Sequence, residues 1–147
     1  MEEFLKLKGN VRIKLFDQDG NLKDERCNPN LIVTVGKNYL AAWLAAASQA
    51  GEFMTYIGLG TGTNAAAPGD VDLQTPLATR VDGTLTSSLN VWQNVAVFTA
   101  GVDTGAITEA GLFSASSSGT MFARQVFSVI NKGAADSLQI TWQITLG

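Results

Sequence analysis

Histidine is absent from this 147-residue chain. That removes Ser-His-Asp and Cys-His catalysis, the commonest zinc sites and the usual general base near neutral pH. Cysteine occurs once, as Cys27. No internal disulfide framework is possible, so the chain suits a reducing cytosol or is indifferent to redox state. Charge is also scarce: 16% of residues are charged, where about a quarter is usual. With 46% of residues apolar, so little charge favours association over a solitary existence. No apolar run approaches the ~20 residues of a membrane span, so no membrane partner is expected. The opening MEEFLKLKG is acidic and then alternating, unlike a secretory signal. No export is expected, and synthesis in the cytoplasm follows as an expectation.

The charge that exists is unevenly placed. Net charge is −3, of the wrong sign for a protein that binds nucleic acid by neutralising phosphates. Seven of the ten basic residues (Lys6, Lys8, Arg12, Lys14, Lys23, Arg26 and Lys37) lie in the first 37 positions, interleaved with six acids. An alternating basic row of this kind marks the solvated face of a strand or a protected edge.

The length fits one domain, residues 1–147. Period-2 alternation dominates it. In NVRIKLFD, Val11, Ile13 and Leu15 alternate with Arg12, Lys14 and Phe16, a half-buried strand. DQDGN carries tight-turn chemistry, NLKDERC returns, and NPN at 28–30 should end that strand because proline cannot donate to a ladder. One helix is expected over about 36–50, where Tyr39, Leu40, Trp43, Leu44 and Ala47 form an apolar stripe before Gly51. The rest reads as short strands bounded by Gly, Pro, Asp and Ser clusters. The expected fold is mainly β: an antiparallel sandwich, jelly-roll-like, with one helix.

Three stretches invite chemistry. YIGLGTG at 56–62 resembles a phosphate loop, but Thr63 stands where a dinucleotide fingerprint needs its last glycine, and NAAAPGD follows instead of a helix. Its glycines read instead as the place where a strand bends. DQDGN could begin a calcium loop, yet its twelfth position is Asn28 rather than glutamate, so a hairpin turn is expected and no metal or cofactor. Asp70, Asp72, Asp82, Asp103, Glu109 and Asp136 offer no compelling carboxylate pair for glycoside hydrolysis. An enzyme is not expected. In SLQITWQITLG, Trp142 lies in phase with Leu138, Ile140, Ile144 and Leu146, which assigns it to the buried face.

Taken in order, NLIVTVGKNYLAAWLAA, YIGLGTG, ITEAGLFSA and TMFARQVFSVINKGAADSLQITWQITLG resemble a pattern found in virion structural proteins of tailed bacteriophages, over about Gly9 to Gly147. The resemblance implies a β-rich assembly protein with no catalytic residues to carry over. Lacking a coiled-coil or triple-β shaft, the chain is most like a capsid decoration (cement) protein. Such a protein would bind the major capsid protein on the outer head surface and self-associate, as a homotrimer. A tail-fibre or baseplate component with a carbohydrate- or receptor-binding role is the alternative. On either reading, residues 1–9 could form an extended arm whose Phe4, Leu5 and Leu7 add a strand to a neighbour. The other possibility is that they extend the chain's own first strand. Phe113, opposite Leu112 in strand phase, is a further candidate for a subunit contact.

Overall fold

The computed structural model describes residues 6–45 and 53–147. Along these residues run β1 (Leu7–Phe16), β2 (Leu22–Ile32), α1 (Thr34–Ala45), β3 (Tyr56–Gly60), β4 (Pro76–Asp82) and β5 (Thr84–Ser88). They are followed by β6 (Val91–Phe98), β7 (Gly105–Phe113), β8 (Met121–Lys132) and β9 (Ser137–Leu146). All pairings among them are antiparallel, in the order β4-β3-β7-β8-β2-β1-β9-β6-β5. The mainly β class with one helix is as the sequence predicts.

Two strands turn corners and fold this sheet into a nearly closed barrel. β2 pairs with β1 over most of its length, then crosses to β8 through Leu31 and Ile32 alone. On the far side β4 runs into β5 through Gly83. A Cβ there would lie 1.8 Å from Asn94 Oδ1, so only glycine lets the chain pass. The Asn94 amide donates to the carbonyls of Met54 (3.0 Å) and Thr55 (2.8 Å), and Gly83 N–H donates to Thr55 O at 2.7 Å. This seam joins the two halves of the sheet where their edge strands do not pair.

The core lies between the halves. Val11, Ile13 and Leu15 of β1 meet Leu138, Ile140, Trp142 and Ile144 of β9, with Ile57, Leu59, Ile107 and Leu112 opposite. Each such aliphatic side chain stabilises the fold by roughly 1.5–3 kcal/mol when fully removed from water. Trp142 is fully buried, on the face its alternation predicts.

Three local expectations need correction. β2 does not stop at NPN but runs through Pro29 to Ile32. Pro29 is paired only with Asn10 of β1, and β8 joins β2 only beyond it, so its missing N–H leaves no ladder bond unmade. The helix begins at Thr34 rather than 36, and residues 46–50 of the expected span lie outside the described residues. Residues 7–9 of the expected arm belong to the chain's own β1: Leu7, Lys8 and Gly9 pair with Leu146, Thr145 and Ile144. Gly147 N–H also donates to Lys6 O at 2.6 Å. Phe4 and Leu5 lie outside the described residues.

Candidate assembly surface

The glycines of YIGLGTG hold neither a phosphate nor merely a bend. Gly58 and Gly60 of β3 lie opposite Gly111 and Glu109 of β7. Their missing side chains leave a smooth floor on the outer face of this half of the sheet. The Phe113 ring lies over Gly58 and Gly111, where added Cβ atoms would sit 3.2 and 2.8 Å from its edge. The Glu109 carboxylate lies over Gly60 and Gly62, where a Cβ would fall 2.4 and 2.5 Å from Oε1. Each glycine makes room for a side chain of β7.

Glu109 is fully buried and saturated with donors. Its carboxylate accepts from the amides of Gly62 (3.0 Å), Gln74 (3.0 Å) and Thr75 (2.8 Å). Arg124 Nε and Nη2 add bonds at 3.0 and 2.8 Å. The same guanidinium reaches Asn64 O, Ala65 O and Asp70 Oδ2. The glycine loop therefore binds an anion after all, and the anion is the chain's own. The segment from Thr61 to Thr75 is thereby strapped across the outside of β3, β7 and β8.

Beneath that strap sits a second small core of Val33, Leu73, Phe113 and Met121. Phe113 is 1% exposed, with the Arg80 guanidinium 3.5 Å above its ring centre. Leu112 and Phe113 do face opposite ways, as alternation predicts. What covers Phe113 is the strap, however, and within this chain it is not a surface residue. Leu7 is half-buried at the start of β1 and packs on the main core.

Burial alone would push the Glu109 carboxyl up. The Thr75 amide, the Arg124 guanidinium and the amides of Gln74 and Gly62 outweigh that and hold it below the usual glutamate range. A depressed folded value contributes stability that is present above the unfolded value and lost as pH falls through the folded one. Below about pH 4.3, the ordinary glutamate value, the strap is therefore expected to loosen. Hydrogen exchange of the Gly62, Gln74 and Thr75 amides over an acid series checks this. Protection that stayed constant down to global unfolding would refute it.

The DQDGN turn is closed by its own side chain. Asp17 Oδ1 accepts from the amides of Asp19 and Asn21, both at 2.9 Å, and Gly20 takes φ +81°. Among the described residues no group of three or more His, Cys, Asp or Glu is arranged to hold a metal. Among them, too, no helix is long and apolar enough to cross a membrane.

Among the described residues, two surfaces stand out as open to a partner. The outer face of β1, β9, β6 and β5 carries Asn10, Gln139, Thr141, Gln143, Gln93 and Thr86, with a row of basic side chains, Lys8, Arg12 and Lys14, along β1. The second is an apolar groove of about 610 Å³ at one end of the barrel. α1 forms one wall with Tyr39, Leu40, Trp43 and Leu44, while Trp92 and Ile144 form the floor. Helical spacing predicts this stripe, and such a stripe on a surface helix ordinarily faces the core. Instead Gly36 is the helix residue that packs tightly, against the Phe122 backbone, and the stripe is left half open, with Leu44 64% exposed.

Neither a family model, a curated protein nor a solved structure matches this chain.

Proposed function

We propose that this chain is a capsid decoration protein of a tailed bacteriophage, binding the outer head lattice and strengthening contacts between major capsid subunits. The observation that carries the reading is what the shared motifs are used for. G-x-G-T-G, E-A-G-L-F and F-A-R, which bear the resemblance to virion proteins, converge on the Glu109–Arg124 knot. Their polar groups hold a strap to a sheet. A pattern of that kind describes a rigid building block. The polar sheet face, charged only along its β1 row among the described residues, and the apolar groove supply the contact surfaces such a block needs.

Copy number in purified virions tests this. Hundreds of copies per particle, with heads lacking the protein losing DNA at lower temperature, is the expected result. A few copies per particle would instead favour the tail-tip receptor module.

A further inference from the structure

β5 and β6 are joined by a two-residue loop, Leu89–Asn90, between the paired Ser88 and Val91. Leu89 takes φ +54°. A positive φ at the first loop position of such a hairpin is ordinarily met by glycine, because a side chain there crowds the backbone. Leu89 is also 101% exposed. The position is thus doubly unfavourable for the isolated chain: strained backbone and a fully hydrated leucine. It is not a loose tip either. Leu146 N–H donates to Asn90 O at 2.9 Å, and the Asn90 side-chain amide donates to Leu146 O at 2.8 Å, fixing the hairpin to β9. A rigid apolar knob, held where the local backbone rules disfavour it, points to a use outside the monomer.

The same molecule carries a hole. Among the described residues that line the groove between α1 and the sheet, none is charged. Leu44 and Phe53, 64% and 55% exposed, stand at its rim. An aliphatic side chain fits the chemistry of these described lining residues. Leu89 does not fill it in its own chain, since it is wholly exposed.

We propose that the Leu89 hairpin tip of one copy seats in the groove of a second copy. Knob and hole lie side by side, since Ser87 and Leu146 line the groove and Asn90 is bonded to Leu146, so two copies facing each other across a two-fold axis make the contact twice. The inference is independent of the capsid reading, because it concerns how copies of this chain hold one another.

Sedimentation velocity on the full chain over a concentration series tests it. The wild type is expected to form a discrete oligomer. Leu89→Gly removes the knob and relieves the backbone, so it should fold with an unchanged or higher Tm and associate about tenfold or more weakly. Leu44→Glu, which spoils the hole, should do the same; Trp43→Glu on the same helix serves if that variant does not fold. Mixing Leu89→Gly with Leu44→Glu should restore a one-to-one complex, since one variant keeps the hole and the other the knob. A wild type that stays monomeric well above micromolar concentration overturns the proposal. So does a Leu89→Gly chain with wild-type association, or a mixture that fails to complement. None of these outcomes bears on copy number in virions, so the two readings fail separately.

Discussion

Replacing Glu109 by alanine is expected to free the Thr61–Thr75 strap and destabilise the domain by about 3–5 kcal/mol. The change strands the amides of Gly62, Gln74 and Thr75 and leaves Arg124, 2% exposed, with only Asp70 as a charged partner. Each buried donor without an acceptor costs about 1–3 kcal/mol, less whatever water recovers once the strap lifts. Against a total stability of about 5–15 kcal/mol, the variant folds marginally. Arg124→Met should cost less, because Glu109 keeps its three amides. The two effects should be strongly non-additive in a double-mutant cycle, as one network is being cut twice. Urea unfolding followed by tryptophan fluorescence measures the loss, and limited proteolysis locates it between residues 61 and 75. A Glu109→Ala chain within 1 kcal/mol of wild type would show that the knot is ornamental.

Trp142→Ala should cost a comparable ~3–5 kcal/mol, by removing the largest fully buried side chain from the middle of β9. Its surroundings are not purely aliphatic, although strand phase alone suggests so. Asn94 is its cross-strand partner on β6, Val11 its partner on β1, and Asn28 lies beyond Val11. Trp142 Nε1, Asn28 Oδ1 and Asn94 Oδ1 are all buried without a protein partner. A phenylalanine at 142 would keep most of the packing and delete an unsatisfied donor, so Trp142→Phe should cost far less than Trp142→Ala. Thermal unfolding of both variants separates packing from polarity. Equal losses would mean that the indole N–H, through a bound water, carries the effect.

How much of this is legible in the sequence depends on how local the cause is. The alternation in β1 and β9, the DQDGN hairpin and the burial of Trp142 follow from period and turn chemistry within a few residues. The Glu109 knot does not. Its members lie at 60, 62, 74, 75, 109 and 124, brought together only by the β3–β7–β8 register. Read singly, Glu109 is one more strand carboxylate without a partner. The available signal was the run of alternate glycines at 58, 60 and 62, which empties one face of a strand and so asks what lies over it. Phe113 misleads for the same reason: alternation points it away from the core, and only the strap, a loop without periodicity, reveals what buries it. Leu89 gives no signal, because its hairpin follows neither Asn-Gly nor Asp-Gly chemistry.

The pairing of β1 with β9 has a consequence for synthesis. Leu7 to Phe16 are among the first of these residues to leave the ribosome, and Ser137 to Leu146 among the last. The central ladder of one half of the barrel therefore cannot close until translation has passed through β9. β3, β4, β7 and β8 find one another earlier, within residues 56–132. The apolar face of β1 waits meanwhile with only β2 beside it, a hairpin marginal on its own in water. The nascent chain is therefore most exposed to aggregation until β9 has emerged, and the basic outer row of β1 is the kind of charge that disfavours edge-to-edge pairing of such hairpins.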